Sequence, residues 1–237
     1  MKRILRPAYQ PVRELLTGRI LYYEALARLG GQEANAHRRL IELGEAAAFI
    51  DLVDLAMLGH VAAALEANPG AVVAVNVSGA TIEHAMNELF AEVFRHMRVA
   101  PRIVFELTET VEIQDFHSLE VFLRAVRLLG ARVAADDYGA GYCSERFVEL
   151  TQAEFVKLSG SLVAGLAEGN GHEGVRALAQ RVRGWGGEMI AEYVDSEPKA
   201  RAMRALEVRY AQGYWVGAFA SEPAEHAVVC PPRRAAS

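Results

Sequence analysis

Short apolar runs alternate with amphipathic stretches along most of this chain. Two extended runs rich in aromatic and branched residues, 9–12 and 20–27, flank Leu16-Thr17-Gly18, a pattern typical of a β-hairpin. Helical periodicity follows over 36–48 and 49–67. The remaining predicted strands are 71–77, 103–107, 132–136, 155–158, 188–191 and 208–212, and the remaining predicted helices are 82–96, 119–129, 145–150, 175–182 and 197–206. This alternation favours an α/β fold whose parallel sheet closes into a TIM-type (β/α)8 barrel.

Length and composition narrow the possibilities further. With 237 residues and 52% hydrophobic content, the chain can bury one large core, and we predict one domain over 1–230 with a disordered tail over 231–237. The net charge of -5 argues against binding to duplex nucleic acid or to an anionic membrane, since both call for a basic surface. Cys143 and Cys230 are too few for a disulfide framework. Because the sequence shows neither a signal peptide nor a membrane-spanning run, we expect a soluble, cytoplasmic protein.

Polar side chains stand at or near the ends of the six later strands. They are Asn76, Glu106, Asp136, Lys157, Glu192 and Gln212. In a barrel all of these strand ends lie on one rim, where barrel enzymes keep their sites. A single buried acid could be a paired structural group. In a ring of acids without compensating charge, desolvation would cost several kcal/mol for each acidic side chain. The pattern therefore indicates a site that binds cations.

The stretch around Asp136 and Asp137 carries the strongest chemical signal. Neighbouring residues in a strand face opposite sides, so both aspartates can serve one site only if the chain bends after them. Gly139 and Gly141 permit that bend, although an Asp-Gly turn is also a common structural feature. Five carboxylates stand against one nearby lysine, and oxygen-rich sites of this kind suit divalent cations. The five are Glu24, Glu106, Asp136, Asp137 and Glu192.

The ordered set of motifs resembles the EAL-domain family of cyclic-di-GMP phosphodiesterases. The set is Gln10-Pro11-Val12, Glu24-Ala25-Leu26 with Arg28, Asn76-Val77-Ser78, Glu106-Leu107-Thr108-Glu109, Asp136-Asp137-Tyr138-Gly139-Ala140-Gly141, Lys157, Ala191-Glu192 and Gln212-Gly213-Tyr214. The resemblance implies a modified TIM-type (β/α)8 barrel with an antiparallel first strand. It also implies two Mg²⁺ or Mn²⁺ ions and hydrolysis of cyclic-di-GMP to linear pGpG.

The resemblance also implies a role for each motif residue. Glu24, Asn76, Glu106 and Asp136 would hold one metal ion, and Asp136, Asp137 and Glu192 the other. Lys157 would polarise the attacking water, and Glu24, Glu109 and Glu192 count with it as catalytic residues. Arg28 would contact phosphate, Gln10 a guanine, and Gln212 and Asp137 the region around the substrate. Glu109 would brace the loop after Asp137, and Asp195, Gly139 and Gly141 would support the ligands.

Several positions depart from the family pattern without removing a proposed ligand. Ser159 stands where an aspartate usually follows the lysine, Tyr193 where glycine is frequent, and Asp195 where a second glutamate is expected. The main alternative is a module of the same fold that binds cyclic-di-GMP or docks a partner without hydrolysis. Such modules usually lose the motif glutamate, one aspartate or the glycine loop, all of which this chain keeps. A homodimer is expected only by analogy with the family.

Overall fold

Eight strands close into a barrel in sequence order in the computed structural model, which describes residues 5–29, 49–108, 115–141 and 143–223. The strands are β1 Leu5–Glu14, β2 Ile20–Leu29, β3 Val73–Ser78, β4 Ile103–Thr108, β5 Arg132–Tyr138, β6 Phe155–Leu158, β7 Glu188–Ala191 and β8 Tyr210–Ala211. β1 runs antiparallel to both of its neighbours, β2 and β8, and every other pairing is parallel. The predicted fold class and the reversed first strand are therefore confirmed.

Helices connect the parallel strands. In the described residues they are α1 Ile50–Ala67, α2 Gly79–His84, α3 Met86–Arg95, α4 Phe116–Leu128, α5 Glu145–Thr151, α6 Gly160–Ala167, α7 His172–Gly184 and α8 Glu197–Ala205. None of these helices is both long and apolar enough to cross a bilayer. The predicted helix over 36–48 and the predicted tail over 231–237 lie outside the described residues.

Two helix predictions differ from the structure. The predicted helix over 82–96 is divided at Ala85, and its first part starts earlier, at Gly79, because the Ser78 hydroxyl accepts a hydrogen bond from the backbone N–H of Thr81 and caps the helix. The helix α6 was not predicted at all. Its sequence contains two glycines, which have low helix propensity, but Ser159 caps its first turn in the same way.

Two adjacent layers of side chains lie inside the barrel. Side chains two positions apart on a strand share a face, so each strand places one residue in each layer. The lower layer is apolar and consists of Val12, Tyr22, Ala74, Val104, Ala134, Phe155, Ile190 and Tyr210. The upper layer, nearer the carboxyl ends of the parallel strands, consists of Gln10, Glu24, Asn76, Glu106, Asp136, Lys157, Glu192 and Gln212. The fold thus brings one polar residue from every strand, or from the residue just after it, to one level.

The turn after β3 is fixed by a buried carboxylate on α1. Asp54 accepts hydrogen bonds from the Ser78 backbone N–H at 2.8 Å and from the Thr81 hydroxyl at 2.6 Å. Burial raises the pKa of the Asp54 carboxyl to about 6, although both hydrogen bonds act in the opposite direction. This contact ties α1 to the end of the strand that carries Asn76.

Candidate active site

Four carboxylates from four strands converge on the side chain of Lys157. The Lys157 Nζ lies 2.8 Å from Glu106 Oε2, 2.8 Å from Glu192 Oε1, 2.9 Å from Asp136 Oδ1 and 3.3 Å from Glu24 Oε2. Only 1% of the lysine side chain is exposed, so these contacts form in a low-dielectric interior. The barrel therefore brings together five of the residues that the sequence singled out, on β2, β4, β5 and β6 and just after β7.

Three amide side chains complete the polar layer. Glu24 accepts a hydrogen bond from Gln212 Nε2 at 2.6 Å and one from Asn76 Nδ2 at 3.1 Å. The same Gln212 nitrogen also lies 3.1 Å from Gln10 Oε1, which links the reversed strand β1 to the last strand. Neutral donors on both sides orient the Glu24 carboxylate without adding charge.

Charge in this layer is unbalanced. Four ionised carboxylates around one ammonium group carry a formal charge of −3. Burial, together with the neighbouring acids, raises the pKa of Glu106 well above its usual range, raises that of Asp136 and brings that of Glu192 to about 8. Burial acts on Glu24 too, but Lys157 and the hydrogen bonds from Gln212 and Asn76 outweigh it and lower its pKa. Additional positive charge would therefore stabilise the layer by offsetting its negative charge.

The oxygens of the layer are suited to a divalent cation. Asn76 Oδ1, Asp136 Oδ1 and Gln212 Oε1 are buried and accept no hydrogen bond from the described residues. The Asp136 oxygen is close enough to Lys157 for an ion pair, but the contact lacks hydrogen-bond geometry. Buried polar atoms are normally satisfied, and an ion can satisfy such oxygens. In the described part of the chain, however, no three acidic, histidine or cysteine side chains are arranged to hold a metal ion, because the carboxylates surround the ammonium group instead.

The chain turns first at Asp137, within β5, and again at Gly139, whereas the sequence predicts a bend only after the strand, at Gly139 and Gly141. Asp137 has a φ of 53°, a left-handed conformation unusual for a residue other than glycine, and its side chain is exposed at the rim. Gly139 has a φ of 92°, and a Cβ atom there would lie 2.9 Å from the Leu162 side chain. Gly141 has open space around it. Of the two glycines, only Gly139 is therefore demanded by the local geometry.

Arg28 and Asp195 are not part of the polar layer. The Arg28 guanidinium stacks over the Phe219 ring at 4.8 Å, and the edge of Tyr214 packs against the same ring, with 6.1 Å between centroids. Asp195 is exposed and pairs with Lys199 at 2.8 Å, which places it outside the carboxylate cluster. Glu109 lies outside the described residues.

Sequence reasoning missed one polar contact of the site. The Tyr22 hydroxyl donates a hydrogen bond to Glu106 Oε1 at 3.0 Å. The sequence predicts Tyr22 only as part of an aromatic strand, although its spacing of two from Glu24 places both side chains on the same face. Burial, with Glu106 adding to it, holds the pKa of the Tyr22 phenol well above its usual range, so the phenol remains a donor.

Fold and site together define a TIM-type barrel with a reversed first strand and an acidic rim. The sequence model of the EAL domain family matches residues 2–218. The chain belongs to the EAL domain family, as the ordered motifs predicted.

Known proteins similar to this chain include two phosphodiesterases and one protein with an EAL domain. The cyclic di-GMP phosphodiesterase PdeB of Shewanella oneidensis is 30% identical over 148 residues, which cover 61% of this chain and 17% of PdeB. The cyclic-di-GMP complex of the PaMucR phosphodiesterase is 24% identical, with a TM-score of 0.79 and 94% of each chain covered. Bacillus subtilis YkuI, in complex with cyclic-di-GMP and calcium, is 18% identical, with a TM-score of 0.80, 96% of this chain and 59% of YkuI covered. The chain thus spans about a sixth of the length of PdeB.

Proposed function

We propose that this chain is a metal-dependent phosphodiesterase that hydrolyses one phosphodiester bond of cyclic-di-GMP to give linear 5'-pGpG. The observation that carries the proposal is the convergence of four carboxylates and two unsatisfied amide oxygens, those of Asn76 and Gln212, at the carboxyl-end rim of the barrel. Family membership and the phosphodiesterases that resemble the chain support the same activity. Cyclic-di-GMP is the expected substrate because solved relatives bind it.

The residues that would hold two Mg²⁺ or Mn²⁺ ions are the acidic and amide members of the polar layer with Asp137. Glu24, Asn76, Glu106 and Asp136 would serve one ion, and Asp136, Asp137 and Glu192 the other. When bound, such ions lower the pKa of a water molecule and offset charge on the attacking and departing oxygens. The calcium in the YkuI complex is consistent with a need for divalent cations.

The chain's own residues would orient the substrate and the attacking water. The three N–H donors of Lys157 face the four carboxylates, and once cations engaged those carboxylates the ammonium group would be released to donate a hydrogen bond to the attacking water and polarise it. Gln212 and Gln10 hold each other's amides in place beside Glu24, where Gln10 would contact a guanine. Arg28, which lies 4.8 Å above the Phe219 ring, carries a guanidinium fork that suits a phosphate.

One observation favours a second candidate function, a module that binds cyclic-di-GMP without cleaving it. Four of the carboxylates that would hold the ions, Glu24, Glu106, Asp136 and Glu192, are each in contact with Lys157. In the described residues, no three acidic, histidine or cysteine side chains have an arrangement that could hold an ion. If this arrangement persists in the presence of divalent cations, substrate could bind at the rim without an activated water.

Product formation separates the two candidates. Purified protein is incubated with cyclic-di-GMP and Mg²⁺ or Mn²⁺, and pGpG is resolved by chromatography. We expect turnover that Glu24→Ala or a chelator abolishes. Glu154→Gln is the matched control, since this glutamate pairs with Arg127 at 3.1 Å at the opposite end of the barrel and should leave turnover intact. Tight cyclic-di-GMP binding with no product under either metal would establish the binding module instead.

A further inference from the structure

Tyr22 connects the two layers inside the barrel. Its ring belongs to the lower, apolar layer and packs against Phe155, with 5.4 Å between centroids and a tilt of 55°. Its hydroxyl reaches the upper layer and donates to Glu106 Oε1 at 3.0 Å. The side chain is fully buried, so water does not compete for this hydrogen bond.

The contact leaves Glu106 with little freedom to rotate. The second carboxylate oxygen, Oε2, lies 2.8 Å from Lys157 Nζ, while Oε1 is held by the phenol from below. Glu106 itself has no exposed surface, so both oxygens depend on protein donors or on a bound cation. A carboxylate fixed at both oxygens keeps one orientation in the layer.

We propose that Tyr22 is a positioning residue whose hydroxyl orients Glu106 and thereby sets the affinity of the polar layer for divalent cations. This inference rests on the proposed function, because it assumes that Glu106 is a ligand. Hydrogen bonds to a metal-binding carboxylate from outside the ligand set fix its orientation, and their loss typically weakens metal affinity about 10- to 100-fold.

The variant Tyr22→Phe tests the hydroxyl alone, since it keeps the ring and its packing against Phe155. Binding of Mn²⁺ to the full chain without substrate is measured by titration calorimetry. We expect a dissociation constant about 10- to 100-fold larger than that of the unmodified chain. The control is Ile190→Val, which removes one methyl group from the same apolar layer. It should lower thermal stability while changing the Mn²⁺ dissociation constant less than about threefold.

The outcomes separate this inference from the proposed function. If Tyr22→Phe loses thermal stability like Ile190→Val but keeps the Mn²⁺ affinity within about threefold, the hydroxyl is only structural and the inference is wrong. If the unmodified chain binds Mn²⁺ but forms no pGpG, the proposed hydrolysis is wrong. The effect of Tyr22→Phe on the Mn²⁺ dissociation constant still tests the positioning role of the hydroxyl. If the unmodified chain binds no Mn²⁺, both are overturned.

Discussion

Replacing Lys157 by methionine tests whether its ammonium group holds the carboxylate layer together. Methionine keeps most of the apolar stem but removes the positive charge that lies within 3.3 Å of Glu24, Glu106, Asp136 and Glu192. Removing one partner of a buried ion pair typically costs about 3–5 kcal/mol, because the remaining charge stays buried. Here four acids depend on one cation, so we expect a loss toward the upper end of that range.

The loss should be visible in the melting temperature of the metal-free protein. A domain of this size loses roughly 2–4 °C per kcal/mol, so a loss near 5 kcal/mol should make Lys157→Met melt about 10–20 °C below the unmodified chain in a chelating buffer. Saturating Mn²⁺ should raise the melting temperature of Lys157→Met by more than it raises that of the unmodified chain, because the added cation then replaces the missing charge. Circular dichroism during heating measures both effects.

A matched substitution controls for the loss of a lysine as such. Lys199 pairs with the exposed Asp195 at 2.8 Å, and exposed ion pairs contribute little to stability, so Lys199→Met should leave the melting temperature nearly unchanged. The reasoning is refuted if Lys157→Met and the unmodified chain have the same melting temperature in a chelating buffer. If Mn²⁺ leaves the melting temperature of either protein unchanged, the result would contradict a cation site in this layer.

Three further predictions follow from single positions. Because burial raises the pKa of Asp54 to about 6 from 3.8, ionisation of Asp54 opposes folding. The unfolding free energy relative to Asp54→Asn should therefore fall by about 2 kcal/mol as pH rises from 4 to 7, and equal pH slopes of the two proteins in urea titrations would contradict this. Gly139→Ala should lower the unfolding free energy by about 1–3 kcal/mol in the same titrations, since the φ of Gly139 is 92° and a Cβ there would lie 2.9 Å from the Leu162 side chain. An equal loss for Gly141→Ala would show that the backbone conformation is not the cause. Arg28→Lys should weaken cyclic-di-GMP binding about tenfold by calorimetry, since lysine lacks the planar fork that stacks on Phe219, and unchanged affinity would remove Arg28 from the substrate site.

Much of the fold follows from local sequence patterns. The predicted strands 71–77 and 103–107 are apolar except for Asn76 and Glu106, as expected of a sheet covered on both faces, and both match described strands within two residues. The short helix α6 escaped prediction because its two glycines weaken the periodic signal, and the capping hydrogen bond of Ser159 compensates only once the chain is folded.

For the candidate site, the sequence by itself determined which residue types stand at the strand ends, and through them the family. Only the tertiary structure decided how those residues meet. That Lys157 lies within 3.3 Å of four acids depends on barrel closure and on the register between strands far apart in sequence. The bond from Tyr22 to Glu106 joins residues 84 positions apart, and such a contact arises only because both side chains point into the same enclosed interior.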